Sequence, residues 1–285
     1  MAVQFAIPAA VGFGVADFAG GLATRRTSGT LGIIAVTQLV GAAVLLPALT
    51  LLPGGPSATA VGFGALAGLA GSSGLLLYFR GLARGPMGVV APLSALAGAG
   101  LPLVVGVVAG ERPGPVTLSG VMVAVIAIAF ATAGTSHDRA AISGLLLGIG
   151  SGVGFGLFYV ALDATAPESG LWPLLAAKIA AVTVFGPLAL ARRTPGSALR
   201  RHDRLIVPSL IILSLIILSG TADMVSNILF LLATRTGGLS VSAVVVSLYP
   251  VVVVLLARFV LRERLTLMQA TSVALALAAS ALLSG

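Results

Sequence analysis

The chain has 285 residues, of which 58% are hydrophobic and 8% charged, and its mean hydropathy is +1.14. A soluble domain has roughly 45–50% apolar and about 25% charged residues, so this composition excludes a soluble globular protein and a disordered one. The formal net charge of +8 would suggest nucleic acid in a soluble protein, but arginines in the short loops of a membrane protein report orientation. We therefore expect an integral membrane protein and no nucleic-acid partner.

Ten apolar blocks follow one another along the chain, separated by charged residues, Gly and Pro. Each is long enough to cross a bilayer, which takes about 20 apolar residues, and backbone hydrogen bonding in lipid requires each to be a helix. The predicted spans are 3–23, 30–52, 58–79, 86–109, 115–134, 141–162, 171–190, 206–233, 239–261 and 266–284. Stripes of small residues at every fourth position, such as Gly148, Gly152 and Gly156, predict close helix packing rather than a chemical site.

The two halves of the chain resemble each other. VGFG occurs at 11–14 and again at 153–156, and Gln38 and Lys178 each precede a proline by nine residues, at an offset of 140. GLARGPMGVVAP (81–92) aligns with ATRTGGLSVSAV (233–244) at an offset of 152. We therefore predict two five-helix units, 1–135 and 141–285. Because five is odd, the units cross the membrane in opposite senses, as in many secondary transporters whose substrate site lies between inverted repeats.

Two segments carry a likeness to a known family: GLARGPMGVVAP…GER (81–112) and LLATRTGGLSVSAVVVSLYP…RER (231–264). Through them and the repeat plan the chain resembles the EamA family of the drug/metabolite transporter superfamily. The resemblance implies a carrier that works by alternating access about a midplane cavity built from the first, third, fourth, sixth, eighth and ninth helices. Members of that family are usually drawn with both termini in the cytoplasm. Here, however, thirteen arginines lie in connections after odd-numbered spans and two after even-numbered ones, which favours both termini outside.

Asp17 is the leading candidate for substrate binding or coupling. A carboxylate within a span is costly in its charged form, so it normally faces a cavity or a partner and can exchange a proton near neutral pH. The segment from Ala16 to Arg26 is also similar to the first helix of small multidrug resistance proteins, which implies that the carboxylate binds protons and substrate in competition. Alternatively, Asp17 is a structural partner of Arg25.

Further polar residues within the predicted spans complete the candidate site. Lys178, the only lysine, is expected either to bind a substrate carboxylate or to form a salt bridge with Asp223 or Asp17. Asp223, Ser226 and Asn227 share one face of the eighth span and must turn inward. The other residues expected at the site are Gln38, Tyr78, Tyr159 and Tyr249, with the three tyrosines lining a cavity.

These features favour a secondary carrier that moves a small metabolite, an amino acid or another amphipathic compound, across the cytoplasmic membrane, with export as the expected direction. Its expected partners are that small molecule, the lipid bilayer and, if Asp17 couples transport, protons; monomer and homodimer both stay open. Cysteine is absent and only two histidines occur, so no metal and no cofactor is expected. The alternative is a membrane-embedded enzyme acting on lipid or isoprenoid phosphates, for which the loop 192–204 supplies five arginines but only Asp203 as a carboxylate.

Overall fold

The structure is a computed structural model that describes residues 2–27, 29–51, 53–108, 114–133, 139–191, 206–237, 246 and 248–284. Within these residues the chain forms ten α-helices, a single 3-10 turn and no β-strand. The helices are α1 (Ala2–Arg26), α2 (Thr30–Leu51), α3 (Ala58–Arg84), α4 (Met87–Val108), α5 (Pro115–Ala133), α6 (Arg139–Asp163), α7 (Trp172–Ala191), α8 (Ile206–Gly237), α9 (Tyr249–Val260) and α10 (Leu267–Ser284).

The helices follow the predicted apolar blocks closely. α3 extends past the predicted residue 79 to Arg84, where the Gly85 N–H closes the last turn on the Gly81 carbonyl at 2.8 Å. The first half of the predicted span 239–261 lies mostly outside the described residues. Six of the described helices are long and apolar enough to cross a membrane, and four shorter apolar stretches accompany them. The chain is therefore a multi-pass integral membrane protein.

Glycine allows the central helices to approach closely. α3 packs on α6 and α7, α1 on α8, and α4 on α6. A Cβ placed on Gly154 of α6 would lie 2.6 Å from the Gly74 Cα of α3, and one on Gly156 would lie 2.7 Å from the Leu101 Cβ of α4. Backbone therefore meets backbone at these crossings, as the small-residue stripes predict.

Hydrogen bonds between connections define two ends of the helix bundle. At the first, here called the arginine end, Arg25 of α1 bonds Glu263 of the α9–α10 connection at 2.9 Å, and Arg84 of α3 bonds Ser143 of α6 at 3.5 Å. At the opposite end, Ser57 bonds Ser169 at 2.9 Å. The connections after α1, α3 and α9 thus share one end, and those after α2 and α6 share the other.

The main apolar core lies next to the arginine end. It contains Phe18 and Leu22 of α1, Phe79 and Leu82 of α3, and Met87 at the start of α4, all buried. In α1 and α3 these residues lie between the middle of the helix and its arginine end, and Met87 lies at the arginine end of α4. The core therefore closes the bundle between its centre and the arginine end.

Candidate functional site

A cavity of about 100 Å³ lies between the centre of the bundle and the opposite end. Its walls come from the middle of α1, α2, α3 and α8 and from the parts of α6, α7 and α9 nearest that end. The lining residues are Phe13, Asp17, Gln38, Gly68, Gly71, Ser72, Leu75, Phe155, Phe158, Tyr159, Leu174, Ala177, Lys178, Asp223, Asn227 and Tyr249. None of these described lining residues belongs to α4, so the cavity differs here from the one expected between the first, third, fourth, sixth, eighth and ninth helices, and α2 and α7 line it in addition. The reason is packing: α6 stands between α4 and the cavity, whereas α2 and α7 meet at the cavity itself.

Lys178 of α7 holds the polar side of the cavity together. Its Nζ donates to Gln38 Oε1 at 2.7 Å and forms a salt bridge with Asp223 Oδ2 at 3.0 Å. The Gln38 amide in turn donates to Ser72 Oγ at 2.8 Å. Four helices, α2, α3, α7 and α8, are thereby joined through one buried ammonium group. Of the two acidic partners predicted for Lys178, the structure selects Asp223.

Asp17 reaches the same cavity from α1. Arg25, the alternative partner considered for it, donates instead to the Leu82 and Gly85 carbonyls, each at 2.8 Å, and to Glu263. Within the described residues Asp17 belongs to no salt bridge. Because Lys178 and Asp223 compensate each other, the net charge of the cavity is set by whether Asp17 carries a proton.

The structure brings seven of the eight residues predicted for the site to the cavity wall. The seven are Asp17, Gln38, Tyr159, Lys178, Asp223, Asn227 and Tyr249. Tyr78 does not line the cavity: it is fully buried behind the wall, with its ring 5.6 Å from that of Phe155. Ser226, on the inward face of α8, is buried against Gly12 of α1 rather than exposed to the cavity.

Ser72 and Phe158 reach the cavity without having been singled out from sequence. Ser72 accepts the Gln38 hydrogen bond, and Phe158 packs edge to face on Tyr159 at 5.4 Å. Ser72 is the last of three small residues spaced four apart, Gly64, Gly68 and Ser72. Such a pattern indicates helix packing, so it gives no signal that the Ser72 hydroxyl lines a cavity. Within the described residues no group of three His, Cys, Asp or Glu side chains could hold a metal ion.

Comparison with known proteins places the chain in a family. A family model described as the EamA-like transporter family matches residues 142–285. A solved structure described only as "Crystal structure of protein" is similar over 96% of this chain and 97% of its own, with a TM-score of 0.60 at 17% sequence identity, which supports the fold alone. A search among curated proteins finds no match. The family match covers half of the sequence, and the chain therefore belongs to the EamA-like transporter family.

Proposed function

We propose that the protein is a ten-span secondary transporter of the cell membrane that exports a small amphipathic metabolite, such as an amino acid, by alternating access. In this proposal residues 1–135 and 141–285 are inverted repeats, and Asp17 couples transport to protons. The observation that carries the proposal is a cavity whose wall combines an isolated carboxylate, a lysine–aspartate pair and aromatic rings from both halves of the chain.

The cavity lining supports the inverted repeats. At the offsets found in the sequence, residues at equivalent positions of the two halves line the cavity together. These pairs are Phe13 and Phe155, Asp17 and Tyr159, Gln38 and Lys178, Gly71 and Asp223, and Leu75 and Asn227. The packing of the helices agrees, because exchanging the halves converts the α1–α8 contact into the α6–α3 contact, and both are extensive. Equivalent surfaces on both sides of one cavity are what a pseudo-two-fold axis through it would produce.

The distribution of charge supports an amphipathic substrate. Asp17, Lys178 and Asp223 occupy positions whose repeat partners, Tyr159, Gln38 and Gly71, are uncharged. A substrate would therefore place an ammonium group toward Asp17 and its apolar part against the aromatic rings. Lys178 uses two of its three N–H groups on partners among the described residues, and in this proposal the third donates to a substrate carboxylate. Closing the cavity toward the opposite end and separating the core at the arginine end would complete transport.

A thermal-stability screen of the purified protein tests the proposal. The panel would contain amino acids, nucleosides, sugars, organic cations and a polyprenyl phosphate, at two pH values. A ligand at 100 times its dissociation constant adds ~2.7 kcal/mol to the free energy of unfolding. We expect an amino acid or another amphipathic metabolite to stabilise the protein, and Asp17→Asn to weaken that effect.

Glu168→Gln is the matched control, because it makes the same acid-to-amide change at an exposed position of the α6–α7 connection. The compound identified would then be followed in proteoliposomes in both directions. Stabilisation by the polyprenyl phosphate alone would favour the enzyme instead. An equal effect of the metabolite on wild type and Asp17→Asn would exclude Asp17 from the site.

A further inference from the structure

The Tyr78 hydroxyl is a buried polar group with no hydrogen-bond partner. The residue has no solvent exposure, and its Oη makes no hydrogen bond of good geometry within the described residues. Buried hydroxyl groups are normally bonded, and an exception calls for an explanation. Phenylalanine would fill the same space without this cost, as Phe79 does in the next position of α3.

Tyr78 stands between the cavity and the core that closes the arginine end. It lies one turn of α3 beyond Leu75, the last residue of that helix to line the cavity. Its ring packs against Phe155 of the cavity wall on one side and Phe79 of the core on the other, at 5.6 and 6.3 Å. The hydroxyl lies within interaction range of the Asp17 carboxylate and of the Tyr249 hydroxyl, although it forms a hydrogen bond of good geometry with neither. A hydroxyl donor therefore lies beside a carboxylate that belongs to no salt bridge among the described residues.

We infer that the Tyr78 hydroxyl donates a hydrogen bond to Asp17 whenever that carboxylate is ionised and releases it when Asp17 takes up a proton. A hydrogen bond to an ionised acceptor is about twice as strong as one between neutral groups. The Tyr78–Asp17 contact is therefore stronger when Asp17 is ionised than when it is protonated. Tyr78 is thus a positioning residue: through its bond to Asp17, the charge state of Asp17 determines how strongly α3 is held against α1. The inference rests on the proposed role of Asp17 in coupling.

The place of Tyr78 gives this contact a mechanical consequence. α1 and α3 meet just beyond it, where Gly20 lies against the Phe79 ring and a Cβ on Gly21 would lie 2.7 Å from Leu82 Cδ1. A bond between Tyr78 and Asp17 would draw the two helices together at the floor of the cavity. Loss of the proton from Asp17 would therefore favour the closed arginine end.

Other groups that face Asp17 act on its charge but do not replace this donor. Tyr249 approaches from α9, Tyr159 from α6 and Asp223 from α8, and Lys178 of α7 lies across the cavity. Lys178 is engaged with Gln38 and Asp223. Tyr159 is a suitable control, because it lines the same cavity and interacts with Asp17 only through its charge, whereas the Tyr78 hydroxyl is also within hydrogen-bonding range of Asp17.

The test compares the unfolding temperature of wild type and Tyr78→Phe across pH, with Tyr159→Phe as the matched control. Where Asp17 is protonated, removing the unpartnered hydroxyl should raise the unfolding temperature by about 2–4 °C; where Asp17 is ionised, it should lower it by a similar amount. This reversal should disappear in an Asp17→Asn background. Infrared spectra of the Asp17 carboxyl should show its ionisation midpoint about one pH unit higher in Tyr78→Phe and unmoved in Tyr159→Phe.

An effect of Tyr78→Phe that is the same at every pH, or a reversal that survives in Asp17→Asn, would overturn the inference. Neither readout needs a substrate, so its failure is distinct from failure of the proposed function. If the substrate effect depends on Asp17 but the reversal is absent, the proposed transporter function stands and the proposed role of Tyr78 is wrong. If the reversal is present but no substrate has an effect, the role of Tyr78 stands and the proposed function loses its support.

Discussion

Lys178 illustrates how a single charged residue can be accommodated in the centre of a membrane protein. Its ammonium group has one ionic and one amide partner, and its stem packs on Gly41, where an added Cβ would lie 3.1 Å from Lys178 Cε. The two members of the salt bridge are not equally placed, because the side chain of Lys178 is 10% exposed and that of Asp223 is 36% exposed. Water in the cavity can therefore solvate the carboxylate better than the ammonium.

This asymmetry predicts unequal effects of neutralising the two partners. Asp223→Asn leaves a buried ammonium with weaker partners and should lower the free energy of unfolding by about 2–3 kcal/mol. Lys178→Met leaves a carboxylate that water can reach and should cost about 1 kcal/mol. Unfolding of the detergent-solubilised variants measures both. The double variant should be more stable than Asp223→Asn alone, and a double variant that is the least stable of the three would contradict this account.

At the scale of helices, the glycines of α6 allow two neighbouring helices, α3 and α4, to pack closely against it. Gly154 meets the backbone of α3 at Gly74, whereas Gly152 and Gly156 meet α4 at Ala97 and Leu101. Because the glycines add no side chain to these contacts, the helices approach closely, and the contacts depend on dispersion rather than on a hydrophobic driving force. α6 can therefore separate α4 from the cavity while its other face closely approaches α3.

Gly154→Ala should consequently be destabilising, whereas Gly150→Ala should not. The new Cβ at 154 would meet backbone atoms of α3 at 2.6–2.9 Å, which cannot give way as a side chain can. We expect a loss of about 1–3 kcal/mol in the free energy of unfolding. At 150 the nearest atom is Leu77 Cδ1 at 3.5 Å, so the same substitution on the same helix should be neutral or stabilising by up to about 1 kcal/mol. Thermal unfolding of the pair decides the matter, and equal effects would refute the backbone argument.

The sequence predicts the bounds of the helices better than it predicts which side chains pair between them. Apolar blocks between charged breaks suffice for the helix bounds, because lipid leaves the backbone few alternatives. Glu263, in contrast, lies between two arginines in RER and yet pairs with Arg25 from the other half of the chain, while also accepting from the Met87 and Gly88 N–H groups of α4 at 3.3 Å. Sequence composition cannot predict a salt-bridge partner 238 positions away. It also cannot predict that Tyr78 is buried behind the cavity wall rather than lining the cavity.

At the scale of the whole molecule, the structure gathers basic connections at one end. Arg25, Arg84 and the connection that contains Glu263 lie there together. The positive-inside rule would place this end in the cytoplasm, so the cavity, which lies toward the other end, would face outward. The usual drawing of the family implies the reverse.

Cysteine labelling would decide the orientation, since the chain has no cysteine of its own. Gly29 and Gly55 are exposed glycines in the connections after α1 and α2, with no side chain crowding either position. A membrane-impermeant maleimide should label Gly55→Cys in intact cells and Gly29→Cys only after the membrane is opened. The opposite pattern would establish the orientation usual for the family and an inward-facing cavity.

The hydrogen bond between Lys178 and Gln38 joins two residues that the proposed repeats make equivalent. Two equivalent positions that touch must lie on the axis relating their halves. In a pair of identical five-helix subunits the same side chain would face its own copy there, and two lysines at that distance would repel. If the two copies differ in sequence, as the halves of this chain do, one can hold a lysine where the other holds an amide. On the proposed repeat plan, joining the halves would make a charge on the two-fold axis admissible, and with it a cavity that distinguishes the two ends of a bound molecule.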